Sequence, residues 1–193
     1  MSGIPLSPSQ TVGPFFGPAL LRADAVRQVL VSPETAGTRI RIQGRVKDAG
    51  GAPVPDAVVE IWQANAAGRY NHPADPGPAP LDPGFSGFGR CGTEDDGRWW
   101  FDTVKPGSVR FDAARLQAPH VCLTVFSRGL LNHVVTRAYF EDEPRNDADP
   151  VLARVPAERR GTLIARRDTS AGGVVYRFDV VLQGADETVF FQV

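Results

Sequence analysis

The sequence predicts an all-β fold, an antiparallel β-sandwich of about eight strands with long loops and a few short peripheral helices. Two observations carry that prediction. Short runs alternate apolar and polar residues with a period of two, as strands buried on one face must. Between the runs stand turn formers, and the 20 glycines and 17 prolines suit short strands joined by tight turns better than long helices. At 193 residues the chain is long enough for one core, so residues 1–193 read as a single domain.

The opening "MSGIPLSPSQTVGPFFG" mixes Pro and Gly with Phe15 and Phe16. A solvated tail would be poorer in Phe, so residues 1–17 are expected as an ordered arm packed against something. "PALLRADAVRQVL" sets Leu20, Val26 and Leu30 at helical or turn spacing and predicts a short helix. "TRIRIQGRVKD" is a strand that turns Ile40, Ile42 and Val46 to one face. "DAGGAPVPDA" is a turn around Gly50 and Gly51, "AVVEIWQAN" the next strand, and "GRYNHPADPGPAPLDPGFSGFG" a long proline-rich loop.

"EDDGRWWFDTVKPG" reads as turn, strand and turn. Successive strand side chains point to opposite faces, so at least one of Trp99 and Trp100 is expected in the core. "HVCLTVFSRGLLNHVVTRAYFEDE" makes two strands around Gly129. "DPVLARVPAERRGTLIARRD" predicts short helices limited by Pro150 and Pro156, and "GVVYRFDVVLQG" and "ETVFFQV" supply two more strands.

Twenty-one basic residues against 22 acidic ones leave a net charge of −1. That balance offers neither nucleic acid nor a membrane surface a general footing. No run approaches the roughly 18 apolar residues of a membrane helix. The N-terminus lacks a basic stretch followed by an apolar one, so a cytoplasmic protein is expected. Cys91 and Cys122 alone make no disulfide framework and read as buried thiols in a reducing compartment.

On residue chemistry alone the candidates are few. His72 falls in the proline loop, and His120 and His133 fall in strands. A lone strand histidine is more often a structural hydrogen-bonder than a ligand. "EDDG" at 94–97 reads as a turn with solvated carboxylates, and "ERR" at 158–160 and "ARRD" at 165–168 as exposed helix ends. Phosphate-loop, zincin, nucleophile-elbow and CxxC motifs are absent from the sequence.

Seven stretches point further: "SQTVGPFFG", "GRVKDAGGAPVPDAVVEIWQANAAGRY", "FGRCGTEDDGRWWFDTVKPG", "APHVCLTVFSRG", "TRAYFEDE", "TLIARR" and "YRFDVVLQGADETVFF". Together, in this order and over most of the chain, they resemble the intradiol ring-cleaving dioxygenases. Within that family they are most similar to the α chains of members built from homologous α and β subunits. The family's site is an Fe(III) centre held by two tyrosines and by two histidines spaced His-x-His on a strand. Anionic phenolates suit the hard ferric ion, and residues i and i+2 of a strand share a face. Tyr70 in "AGRY" and His120 in "APH" match the first tyrosine and the first histidine. Val109 in "KPGSV" stands where the second tyrosine belongs, Cys122 stands at the second histidine, and Gln117 replaces an arginine three residues before the first histidine.

The resemblance therefore implies a subunit that holds no metal and has no catalytic residue of its own. Fe(III) is expected in a homologous β-subunit partner, with 3,4-dihydroxybenzoate and O2 as substrates. Thr11, Gly13, Pro14 and Arg128 are implied to line the partner's substrate pocket. Phe15 stands where some relatives carry a tyrosine. The N-terminal arm and Phe190–Phe191 are candidate interface pieces, and strand parity sends Arg137 toward the decayed pocket. Two other readings stay open: a stand-alone intradiol dioxygenase with altered ligands, and a non-catalytic β-sandwich binding module.

Overall fold

The computed structural model describes residues 16–170 and 172–192. A single helical turn, α1 (Phe16–Leu20), precedes eleven strands. In chain order these are β1 (Arg39–Lys47), β2 (Val58–Trp62), β3 (Phe88–Gly92), β4 (Arg98–Val104), β5 (Val109–Arg110), β6 (Leu116–Gln117), β7 (His120–Phe126), β8 (Val134–Phe140), β9 (Ile164–Asp168), β10 (Val175–Arg177) and β11 (Val180–Val181). Three 3-10 turns (Pro144–Ala148, Leu152–Arg154 and Ala157–Leu163) lie between β8 and β9.

The chain is mostly β with few helices, but its sheet is mixed where an antiparallel sandwich was expected. Nine strands form one sheet in the order β11-β1-β10-β9-β8-β7-β2-β3, with β4 on β1, and β5 and β6 form a separate pair. Three pairings are parallel: β1 with β10, β1 with β11, and β8 with β9. Parallel neighbours need a long crossover, and residues 141–163 provide one, so that β9 starts with Ile164 beside Tyr139 near the end of β8. Gly44 explains how β1 serves two parallel partners. A Cβ there would stand 1.7 Å from the Phe178 carbonyl oxygen, so only glycine lets the chain pass from β10 to β11 against β1.

The helix expected over residues 18–30 ends at Leu20, and the remainder runs extended. Arg27 bonds to Arg90 of β3, while Leu30 N and Gln28 O bond to Asp102 of β4. These backbone bonds link the two open edges, giving a nearly barrel-shaped sheet. That opportunity for the backbone outweighs a weak helical spacing.

Alternate residues of the strands enter one core, including Ile42, Val46, Ile61, Trp99, Phe101, Leu123, Val125 and Phe140. Each large apolar side chain buried this way contributes about 1.5–3 kcal/mol. Trp99 is the buried indole, and Trp100 lies on the other face under the Arg41 guanidinium at 4.4 Å. A second cluster (Ala118, Tyr139, Leu152, Val155, Leu163) sits beneath the 3-10 turns.

Two local expectations change. "ARRD" lies in β9 with Ala165 buried, because that strand docks on β8 and β10. In "ERR", Arg159 and Arg160 are stapled to the carbonyls of Glu187 and Val155. Phe190 and Phe191 pack on their own chain's clusters, and Phe191 N bonds to Val135 O at 2.8 Å. Among the described residues no helix is long and apolar enough to cross a membrane.

Candidate functional site

The strand pairings place one set of side chains on a common face. Trp62 of β2 is the register partner of Cys122 of β7, and Cys122 is the partner of Arg137 of β8. His120 pairs with Tyr139 in the same way, and their rings lie 5.6 Å apart. Residues i and i+2 share a face, so His120, Cys122, Arg137, Tyr139 and Trp62 all stand on one side of the sheet.

The start of β7 is held by a buried carboxylate. Asp149 is fully buried and accepts from Ala118 N at 2.7 Å, Tyr139 Oη at 3.1 Å, Val151 N at 2.9 Å and Leu152 N at 2.7 Å. His120 is also buried, and its Nδ1 donates to the Ala118 carbonyl at 2.7 Å, which fixes the tautomer and leaves the lone pair on Nε2. Burial first, and the positive charge of Arg137 next, push the His120 imidazole down to about 4, so it is neutral near pH 7.

Tyr70 reaches the same region from the loop after β2. The Asn65 side chain accepts from Ala67 N and Arg69 N at 3.0 Å, which curls the chain back. Asp75 Oδ2 accepts from Tyr70 N at 2.7 Å. The ring stacks on Trp62 with centroids 5.7 Å apart and planes 16° from parallel. Gly68 and Gly107 bring the "KPGSV" turn against this loop: a Cβ on Gly68 would meet the Ser108 oxygen at 2.1 Å, and one on Gly107 the Gly68 nitrogen at 2.5 Å. Tyr70 and Val109 thereby line one open cleft of about 780 Å³, with Trp62, Phe111 and Leu116 among its walls.

Burial raises the Tyr70 phenol, and a neighbouring Cys122 adds to that rise. Burial likewise raises the Cys122 thiol, with Arg137 opposing it. The Arg137 guanidinium donates to Gln117 Oε1 at 2.7 Å, lies 3.5 Å from Tyr139 Oη and sits over the Phe191 ring at 5.8 Å. Both polar partners are neutral groups.

A family model described as "Dioxygenase" matches residues 12–184. The chain is 44% identical to the protocatechuate 3,4-dioxygenase alpha chain of Burkholderia cepacia, over all of both chains. It is 40% identical to the beta chain of the same organism's enzyme, over 86% of this chain and 73% of that one. Among solved structures, the dioxygenase domain of a carbohydrate-binding fusion from Streptomyces sp. SirexAA-E superposes with a TM-score of 0.62 at 25% identity, covering 93% of this chain and 100% of that one. This chain belongs to the intradiol ring-cleavage dioxygenases.

As a member of that iron-dependent family, the chain carries a face that fits a ferric ion poorly. Tyr70 and His120 remain together on it, as their sequence positions predict. Val109 is an alkyl wall of the cleft and has no donor. Cys122 offers a soft thiol raised by burial, where a hard ferric ion prefers oxygen and imidazole. No group of three or more His, Cys, Asp or Glu side chains among the described residues could hold a metal. His72 and His133 are exposed: His72 lines the Tyr70 cleft and accepts from Ala74 N, and His133 packs on Phe126. Cys91 is a buried free thiol, pushed up to about 12 by desolvation.

Of the implied substrate-pocket residues, Thr11, Gly13 and Pro14 lie outside the described residues. Arg128 stands in the turn at the far end of β7, roughly 20 Å along the strand from His120, and its Nε donates to Asp56. It is not part of this chain's own cleft. Tyr139, Asp149 and Trp62 were not singled out from the sequence. Tyr139 was within reach by strand parity from Arg137, whereas Asp149 had only an Asp-Pro turn signal.

Proposed function

We propose that this chain is the α subunit of a protocatechuate 3,4-dioxygenase. Its partner is a homologous β subunit that binds Fe(III), and this chain holds none. The assembly cleaves 3,4-dihydroxybenzoate between its hydroxyl-bearing carbons with O2, giving 3-carboxy-cis,cis-muconate. The observation that carries this reading is the broken donor set: Tyr70 and His120 persist while Val109 lines the cleft and Arg137 flanks Cys122. Likeness to an alpha chain over the full length gives such a chain a place in an active enzyme.

In this reading Thr11, Gly13, Pro14 and Arg128 line the partner's substrate pocket. Gly13 permits close backbone approach, and Pro14 fixes the arm. The Arg128 side chain is 69% exposed and uses Nε for Asp56. Its Nη groups are then available to a benzoate carboxylate, and the Asp56 bond limits the rotamers it must give up on binding. Phe15 adds apolar surface but no hydroxyl.

The test is to purify the chain alone and together with a four-ligand β homologue, and to measure iron, colour and ring cleavage. The expected result is a colourless, iron-free chain and a red-brown complex that consumes O2 with 3,4-dihydroxybenzoate. Stoichiometric iron and activity in the chain alone would overturn the proposal.

A further inference from the structure

We infer that Leu131 and the apolar row beside it form a surface on which the β subunit docks, with Leu131 as the anchor. The inference rests on the α-subunit reading above and adds to it the residues that make the contact.

The row runs across three strands. Gly92 of β3 pairs with Val58 of β2, and Val58 pairs with Phe126 of β7. Val59 and Ile61 belong to the core, so Val58 and its two register partners face the opposite side. A Cβ on Gly92 would stand 2.7 Å from the Leu21 side chain, which places Leu21 over this row. At the other side the Phe126 ring packs on His133 with centroids 5.4 Å apart. Trp62 and the Tyr70 cleft lie at the opposite end of β2, roughly 13 Å along the strand.

Beyond the row, the turn between β7 and β8 carries Arg128 and Leu131. Leu130 N donates to Ser127 O at 3.2 Å, and Gly129 bends the turn with φ of +85°. Leu131 is 68% exposed, the most exposed large apolar side chain among the described residues. A single exposed leucine is ordinary. This one shares its turn with an exposed guanidinium and follows on Leu21, Val58, Phe126 and His133. Apolar and aromatic side chains edged by an arginine have the composition of a protein contact.

Two observations point to the β subunit as the occupant. The described chain begins with α1, and Leu21 just after it packs on Gly92, so residues 1–15 join the molecule at this end. Arg128 and the arm thus share one end, as a common reach into a neighbouring pocket requires. Leu131 also lies within about 10 Å of Arg128 along the chain. An arginine extended to a carboxylate in the partner's pocket therefore brings Leu131 against the rim of that pocket.

The full chain carrying Leu131→Asp is titrated into the four-ligand β homologue, and the Kd is read by fluorescence anisotropy of the labelled β subunit. Leu131→Met keeps the apolar bulk, and Leu81→Asp puts the same charge at another half-exposed leucine, in the proline-rich loop. The expected result is assembly at least about 30-fold weaker for Leu131→Asp. Leu131→Met and Leu81→Asp should match the unmodified chain, and the melting temperature of the free chain should be unchanged in all three.

Unweakened assembly by Leu131→Asp would overturn the inference, and so would an equal loss with Leu81→Asp. A clear fall in the melting temperature of the free Leu131→Asp chain would show that the chain's own residues cover this surface. Self-association that Leu131→Asp abolishes would show that a second copy does. Either result would overturn the inference as well. An active unmodified complex that is indifferent to Leu131→Asp sinks this inference alone, whereas an unmodified chain that neither assembles nor supports ring cleavage sinks the α-subunit reading with it.

Discussion

Tyr139 Oη donates to Asp149 Oδ1 at 3.1 Å, and through that bond the strand facing His120 is tied to the residue that closes the first 3-10 turn. Asp149 also accepts from three backbone amides. A buried carboxylate with four donors is satisfied, and removing it leaves those donors unpaired. Asp149→Ala is expected to cost on the order of 3–5 kcal/mol. Asp149→Asn, which keeps part of the acceptor set, should cost less. Urea denaturation of both variants measures this, and an Ala cost below about 1 kcal/mol would contradict the bonding described.

Acid should weaken the fold through His120. Burial and the Arg137 charge push the imidazole from its ordinary 6.5 down to about 4 in the folded chain. Between those values the unfolded chain takes up a proton that the folded chain does not, so stability falls as pH drops from about 6.5 to about 4 and this contribution levels off below. The loss is on the order of 3 kcal/mol. His120→Asn removes this component, so its urea midpoint should depend less on pH across that window than that of the unmodified chain.

Two glycine substitutions separate crowding from backbone strain. At Gly44 a Cβ would meet the Phe178 oxygen at 1.7 Å, in a place where neither backbone can withdraw without breaking β1 from its partners. Gly44→Ala should cost about 3–5 kcal/mol or prevent folding. Gly129 has φ of +85° and open space around it, so Gly129→Ala carries only the left-handed penalty of about 1–2 kcal/mol. Paired thermal melts should show the first far below the second.

Arg128 offers a test of the pocket-wall role. Assembled with the β partner, Arg128→Ala is expected to lower kcat/KM for 3,4-dihydroxybenzoate roughly tenfold or more, the worth of one charged hydrogen bond. The melting temperature of the chain should stay nearly unchanged, because the Arg128–Asp56 pair is exposed. Unaltered kcat/KM would place Arg128 outside the pocket.

Much of the site was legible without coordinates. The match of Tyr70 and His120 and the missing donors at Val109 and Cys122 came from the resemblance to the family, and the direction of Arg137 from strand parity. Parity is a property of two neighbouring residues, which a sequence states directly. The segment at 18–30 was misread for the opposite reason: its fate depends on free backbone groups of β3 and β4, about sixty residues or more away in the chain. "ARRD" was misread likewise, since its charges suggest an exposed end while Ala165 docks between β8 and β10.

The sequence by itself determined the β character, because alternation is local, and its resemblance to the family pointed to the missing donors at Val109 and Cys122. Only the tertiary structure decided that the sheet is mixed, that Asp149 anchors the strand bearing His120, and that Gln117 holds a charged Arg137 beside Cys122. Those features arise where distant segments meet, and register, burial and the pairing of charges exist only once the chain has brought them together.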